Sequence, residues 1–91
     1  MRVRWTVEAR SDLVRLYEFL ALVNPRAAAR VVQLLRIAPT RLREHPRLGP
    51  RLDEFSPREV RRLIVDDYEL RYEVTDDTLT VLALWHTRED R

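Results

Sequence analysis

Three strand-length runs in the C-terminal half of the chain decide its fold, namely Arg61–Val65 (RRLIV), Tyr68–Val74 (YELRYEV) and Leu79–Arg88 (LTVLALWHTR). Only short acidic turns separate them, with two aspartates at 66–67 and two at 76–77. Aspartate is common in tight turns because it tolerates the left-handed backbone conformation. The pattern therefore predicts a three-stranded antiparallel meander.

Side chains of the second run alternate between two faces of this predicted sheet. The apolar face carries Tyr68, Leu70, Tyr72 and Val74, and the charged face carries Glu69, Arg71 and Glu73. A period of two with one apolar side is typical of a sheet that is covered on one face only. The third run is almost entirely apolar as far as Trp85, which predicts an internal strand.

The N-terminal half predicts the elements that cover the sheet. Residues 2–5 alternate between arginine and apolar side chains, as in a short strand. Thr6 is placed to cap a helix that ends near Val23, and Asn24-Pro25 both stops that helix and starts a second one. We therefore expect an α+β fold in which an N-terminal strand and a helical hairpin pack on one face of a small, mainly antiparallel sheet.

Apolar stripes identify the buried faces of the two predicted helices. The first stripe is Ala9, Leu13, Leu16, Tyr17 and Leu20, and the second is Ala28, Val31, Leu35, Ala38 and Leu42. Asp12 is expected on the solvent side, together with Arg10, Arg15 and Glu18. Pro39 interrupts the second stripe, so we expect a kink or a break there. Gly49 is expected to supply a positive φ in the loop that follows.

Composition limits the function classes. The 91 residues predict a single domain, 1–91, and all 17 basic residues are arginines set against 15 acids, giving a net charge of +2. The absence of cysteine excludes disulfides and thiolate chemistry, and we expect neither a metal site nor a cofactor. The charged N-terminus is not a signal peptide, and no apolar run approaches the roughly 20 residues that span a bilayer. We expect a cytoplasmic protein without a membrane partner.

Several short motifs together resemble the ParE/RelE superfamily of small toxins. They are Trp5-Thr6 with Ala9 and Asp12-Leu13, Asn24 to Ala28, the Pro-x-x-Gly loop at Pro46 to Gly49, Tyr68-x-Leu70-x-Tyr72, and the closing segment Trp85 to Asp90. The resemblance implies a helical hairpin on a small antiparallel sheet, and a toxin of a type II toxin-antitoxin module that a cognate, ParD-like antitoxin neutralises. It also implies that operator DNA is contacted only through the antitoxin.

One activity of this superfamily is RelE-like cleavage of mRNA in the ribosome. It requires cations at the phosphate and groups that move protons, and in this chain the candidates are Arg62, Arg71, His86 and Arg88. In RelE-like members an arginine commonly follows the strand tyrosine that matches Tyr68, whereas this chain has Glu69, which would repel the phosphate. The alternative interpretation is that the charged strand face is solvated and bears only weak ion pairs.

The other activity is ParE-like inhibition of DNA gyrase by binding, and it is our first expectation, as part of a plasmid-stabilisation type of module. We expect the gyrase-binding residues to be Trp85, His86, Arg88, Asp90 and Arg91. We expect antitoxin contacts from an apolar groove beside the hairpin, ringed by guanidinium groups, at Leu16, Leu20, Val31, Leu35 and Arg61. A third possibility is a degenerate toxin that only binds its antitoxin.

Overall fold

The computed structural model describes residues 1–89, which form four strands, two long helices and one short 3₁₀ turn. In chain order these are β1 (Arg2–Trp5), α1 (Val7–Ala21), α2 (Pro25–Glu44), the 3₁₀ turn (Asp53–Phe55), β2 (Val60–Val65), β3 (Tyr68–Val74) and β4 (Thr78–His86). Neither helix is long and apolar enough to span a membrane, within the part of the chain that is described.

The sheet has the strand order β1-β4-β3-β2. The pairs β2–β3 and β3–β4 are antiparallel, and β1 joins β4 in parallel. The predicted meander and the predicted internal position of the last strand are therefore confirmed. Asp66, in the β2–β3 turn, adopts the left-handed conformation with φ of 57°. The α+β fold with a mainly antiparallel sheet is as the sequence predicts.

The hairpin of α1 and α2 covers one face of the sheet, and both helices begin at the predicted caps. The Thr6 hydroxyl accepts the Ala9 N–H at 3.0 Å, and the Asn24 side chain accepts the Ala27 N–H at 3.1 Å. All five residues of the predicted α2 stripe are buried. Four of them, Val31, Leu35, Ala38 and Leu42, belong to a core that includes Leu70, Tyr72 and Leu84, each with no exposed surface.

The helices differ from the expectations at three residues. Of the kink or break expected at Pro39, the break does not occur, since α2 is one continuous helix from Pro25 to Glu44 with Pro39 buried inside it. Burial of the long apolar stripe offsets the single hydrogen bond that proline removes. Asp12 is not on the solvent side but is only 8% exposed, whereas Tyr17, expected in the core, is 43% exposed.

Gly49 has a different role from the expected one. It does not have a positive φ. A Cβ at this position would instead lie 2.0 Å from the carbonyl oxygen of Arg62, so the loop passes too close to β2 for any side chain. The Gly49 N–H also donates to the Tyr72 hydroxyl at 3.1 Å, and that hydroxyl donates to the Pro46 carbonyl at 2.8 Å. These contacts anchor the predicted Pro-x-x-Gly loop to the sheet.

Candidate functional site

A β-bulge in β4 decides which side of the sheet each residue near the C-terminus occupies. Arg71 pairs with Ala83, but its neighbour Tyr72 pairs with Val81, so the register shifts by one residue at Leu82. Beyond the bulge Trp85 pairs with Glu69, and His86 pairs with Tyr68. Because paired residues share a face and successive residues alternate, Trp85 lies on the outer face of the sheet and His86 on the face that carries the helices.

The bulge separates the candidate nuclease residues into two groups. Arg62 pairs directly with Arg71, which places both on the outer face with Glu69 and Trp85. His86 lies on the opposite face of the sheet. Arg88 follows His86 in the C-terminal turn, and its N–H donates to His86 Nδ1 at 3.1 Å. The sheet therefore stands between the two arginines of the strands and the only histidine that was proposed as an acid or base.

On the outer face, Arg71 is already held by aromatic and acidic neighbours. Its guanidinium lies over the rings of Trp85 and Phe55, at 4.7 and 5.2 Å from their centroids, as in cation–π contacts. It also lies 3.4 Å from the carboxylate of Glu69, and Arg62 lies 4.0 Å from the same carboxylate. Glu69 is only 8% exposed, so the alternative interpretation of a solvated charged face is wrong at this position.

On the helix side, an apolar groove opens between α1 and the end of the sheet. Its volume is about 620 Å³, and it is lined by Arg15, Leu16, Phe19, Leu20, Tyr68, His86, Arg88 and Glu89. The rings of Tyr68 and His86 meet edge to face with centroids 5.2 Å apart. Burial, and then the negative charges of Asp67 and Asp66, raise the pKa of Tyr68, so its hydroxyl stays protonated at neutral pH.

The C-terminal turn closes one end of this groove. The Thr87 N–H donates to the Asp67 carbonyl at 2.9 Å, and the Glu89 N–H donates to the His86 carbonyl at 2.9 Å. Glu89 then pairs with Arg15 of α1 at 2.9 Å, and this hydrogen bond raises the pKa of Arg15. The Arg88 N–H donates to His86 Nδ1, so this ring nitrogen already has a partner within the turn.

Side chains of α1 and of its N-cap residue form hydrogen bonds to β4 beyond the point where β1 ends. The last pair between the two strands is Trp5 with Val81. Beyond it, the Thr6 hydroxyl donates to the Leu82 carbonyl at 3.1 Å, and Asp12 accepts the Leu84 N–H at 3.0 Å. The helix thus satisfies backbone groups that a strand would otherwise satisfy, and this fixes the wall of the groove.

The residues expected to bind the antitoxin lie in different environments. Leu16 and Leu20 line the groove, although Leu16 is buried. Val31 and Leu35 are core residues with 5% and 0% exposure, so they have almost no surface to offer a partner. Arg61 is held within the domain, since it donates to the Gly49 carbonyl and the Glu59 carboxylate, each at 2.8 Å. Antitoxin contact at Leu16 and Leu20 stays a prediction.

The residues expected to bind gyrase are divided in a similar way. His86 and Arg88 line the groove, whereas Trp85 is 7% exposed and faces the other side of the sheet. Asp90 and Arg91 lie outside the described residues. Phe19 was missed by the sequence reasoning although it lines the groove and is 69% exposed. The available signal was that Phe19 is a large apolar residue outside the core stripe of its helix.

No group of three or more histidine, aspartate or glutamate side chains that could hold a metal ion occurs within residues 1–89. The groove itself is an apolar recess bordered by Arg15, Arg88 and Glu89, with Tyr68 and His86 in its lining. Apolar clefts with a few charged groups at the border are typical of sites that bind another protein or a peptide.

Comparison with known proteins identifies the family. A family model for the ParE toxin of the type II toxin-antitoxin system parDE matches residues 3–91. The chain belongs to the ParE toxin family. The resemblance to the ParE/RelE superfamily is thereby confirmed, and the protein is the toxin component of a type II toxin-antitoxin module. Membership of this family implies a cognate antitoxin as a partner.

Two further similarities agree with this assignment. The toxin is 32% identical over 85 residues to Toxin RelE2 of Caulobacter vibrioides, and the alignment covers 93% of each protein. A solved structure of the chromosomal ParDE toxin-antitoxin system from P. aeruginosa matches with a TM-score of 0.79 at 21% identity, over 94% of this chain and 95% of that one. At 21% identity, the similarity to the P. aeruginosa structure shows that the two chains share a fold.

Proposed function

We propose that this toxin inhibits DNA gyrase by binding it through the groove between α1 and the end of β4, in the cytoplasm, and that it does not cleave RNA. The observation that carries this proposal is the separation of the candidate nuclease residues. Arg62 and Arg71 lie on the outer face, and His86 lies on the helix face. General acid–base catalysis requires the proton-transferring group and the phosphate-binding groups to contact the same substrate.

The electrostatics of the outer face support the same conclusion. Glu69 lies between the two arginines, at 4.0 Å from Arg62 and 3.4 Å from Arg71. A scissile phosphate at this position would be repelled by the carboxylate, and would compete with it for both cations. Arg71 would also have to leave the rings of Phe55 and Trp85. The outer face is therefore better suited to structural stabilisation than to binding a phosphate.

The antitoxin would neutralise the toxin by occupying the same groove. Leu16 and Leu20, expected from the sequence to contact the antitoxin, line the same groove as His86 and Arg88, expected to contact gyrase. Binding of either partner would then exclude the other. In this scheme the toxin contacts operator DNA only through the antitoxin.

The experiment compares two assays on the purified toxin, DNA supercoiling by gyrase and translation by ribosomes. We expect inhibition of supercoiling and intact mRNA. Phe19→Glu should weaken gyrase inhibition, because Phe19 is exposed and lines the groove. Val7→Glu is the matched control, since Val7 is 76% exposed on the same helix but outside the groove. Equal effects of the two substitutions would contradict the assignment of the groove.

His86 and the C-terminal segment provide a second discrimination. His86→Ala should weaken toxicity only by the loss of one groove contact, far less than the fall of about 10²- to 10⁴-fold in rate that follows the loss of a general acid or base. Deletion of residues 88–91 should weaken gyrase inhibition more than antitoxin binding, because it removes Arg88, which is expected to contact gyrase, and leaves Leu16 and Leu20, which are expected to contact the antitoxin. An essential His86, a dispensable C-terminal segment and mRNA cut on the ribosome would refute the proposal.

A RelE-like ribosome-dependent endoribonuclease is the second candidate function. The observation in its favour is the 32% identity to a protein named Toxin RelE2. In that case Arg62, Arg71, His86 and Arg88 would have to be brought to one substrate by a rearrangement of the sheet end. A toxin that affects neither supercoiling nor translation would instead support a degenerate member that only binds its antitoxin.

A further inference from the structure

The α2 helix carries a net positive charge, whereas the rest of the chain is slightly acidic. The helix contains five arginines and one acid, for a net charge of +4, which leaves 12 arginines and 14 acids, or −2, on the rest of the chain. All five arginines are exposed, namely Arg26, Arg30, Arg36, Arg41 and Arg43. None of them forms an ion pair among the described residues, whereas six arginines elsewhere do.

Three of these arginines form a stripe with two exposed apolar residues. Arg26, Arg30, Leu34, Ile37 and Arg41 recur at intervals of three and four, which places them along one side of the helix. Leu34 is 40% and Ile37 is 53% exposed. They border a shallow depression of about 420 Å³ that is also lined by Ala29, Arg30 and Gln33. At about 1.5 Å per residue, the stripe is roughly 22 Å long.

We propose that this stripe of α2 is a docking surface for an acidic amphipathic helix of a partner protein. Leu34 and Ile37 would contact the apolar side of that helix, and the arginines at the two ends of the stripe would pair with acids that flank it. A stripe of about 22 Å matches about four turns of such a helix. The proposal concerns a surface separate from the groove, and does not depend on whether gyrase is the target.

The arrangement favours a protein segment over a nucleic acid. Arg30 and Arg41 are separated by 11 steps along the helix, roughly 16 Å, and only Leu34 and Ile37 continue the stripe between them, because Arg36 lies about 100° around the helix from Ile37. A phosphate backbone carries a charge about every 3.4 Å along each strand, so the apolar centre of the stripe would face charge that no arginine of the stripe neutralises. An acidic amphipathic helix carries charge at its borders and apolar groups at its centre, as this stripe requires.

The test measures binding of labelled probes to the full 91-residue chain by fluorescence anisotropy. The first probe is a designed helical peptide of about 18 residues, with leucines on one side and glutamates on its borders. The second has the same composition in an order that disperses the leucines around the helix. The third is a DNA duplex of about 20 base pairs. We expect the amphipathic peptide to bind most tightly, and added salt to weaken its binding.

Variants then locate the contact. The double charge reversal Arg30→Glu with Arg41→Glu should raise the Kd of the amphipathic peptide by about tenfold or more, since it replaces two attractions with two repulsions. Leu34→Ser with Ile37→Ser should abolish the preference for the amphipathic peptide over its permuted counterpart. The control Arg4→Glu, at an exposed arginine of β1, should change the Kd by less than about twofold. All four positions changed on α2 are exposed, and circular dichroism verifies folding.

Three outcomes would overturn the proposal. The first is equal binding of the amphipathic peptide to the wild type and to the charge-reversed variant. The second is tighter binding of the DNA duplex that is lost in the same variant, which would make α2 a phosphate-binding surface. The third is self-association of the toxin that the same variant abolishes, which light scattering would detect and which would assign the stripe to a second copy of this chain.

Discussion

Replacement of Asp12 with alanine should destabilise the toxin far more than a typical change on a helix surface. Asp12 accepts the buried N–H of Leu84 at 3.0 Å, and its other oxygen lies 3.7 Å from Arg15. Alanine would leave that N–H without its acceptor next to the point where β1 ends. A buried donor left unsatisfied costs about 1–3 kcal/mol, and loss of a charged acceptor lies toward the upper part of that range.

We therefore expect Asp12→Ala to lower the free energy of unfolding by about 2 kcal/mol. For a domain of this size, that loss corresponds to a decrease in Tm of roughly 8–16 °C. Urea unfolding followed by tryptophan fluorescence measures the free energy, since Trp5 lies in β1 and Trp85 in β4. Asp12→Asn keeps an oxygen that can accept the same N–H, so it should recover a substantial part of the loss.

Glu18→Ala is the matched control, because Glu18 is an exposed acid of the same helix and forms no ion pair among the described residues. Such surface changes usually lie within about 0.5 kcal/mol of the wild type. If Asp12→Ala and Glu18→Ala gave the same free energy of unfolding, the hydrogen bond to Leu84 would not stabilise the fold, and the reasoning would be refuted.

Three further substitutions test the loop, the pH dependence and the proline of α2. Gly49→Ala should lower stability by about 3 kcal/mol in urea unfolding, because its Cβ would lie 2.0 Å from the Arg62 carbonyl oxygen; an unchanged midpoint would show that the loop moves away freely. The hydrogen bond from Arg58 lowers the pKa of Glu73 in the folded state. The pair therefore stabilises the fold above the unfolded-state pKa, and loses this effect as pH falls through the folded-state pKa. The stability difference between wild type and Glu73→Gln should be largest near pH 7 and shrink toward about pH 3, and growth on acidification would contradict it. Pro39→Ala should leave Tm unchanged or raise it, since the backbone is already helical and alanine is favoured by up to about 3 kcal/mol; a clear decrease would mean that packing of the buried ring dominates.

Local sequence patterns determined the elements of this fold and their buried faces. Alternation from Tyr68 to Val74 identified which side of β3 meets the helices, because the two-residue period of a strand maps directly onto burial. The caps at Thr6 and Asn24 were identifiable because each side chain bonds a backbone N–H three residues away. The short motifs that resemble the ParE/RelE superfamily also sufficed to identify the family, because they occur together and in a characteristic order along the chain.

The groove residues were only partly predictable. His86 and Arg88 were identified because charged and titratable groups at the end of a strand are visible in the sequence. Val31 and Leu35 were proposed as contact residues from the same stripe that makes them core. A sequence pattern shows that a side chain is apolar and faces inward, but it does not show where the covering element ends and a groove begins. That boundary depends on how α1, the sheet and the C-terminal turn meet.

Tertiary structure alone decided the role of Asp12 and the faces of Trp85 and His86. The acceptor at Asp12 and the donor at Leu84 are 72 residues apart, so no local periodicity relates them. The bulge at Leu82 moves every later residue of β4 to the opposite face from the one that simple alternation predicts. The sequence of β4 gives no signal of this register shift. The bulge lies where β1 stops pairing with β4, and there the side chains of Thr6 and Asp12 bond the backbone groups of Leu82 and Leu84.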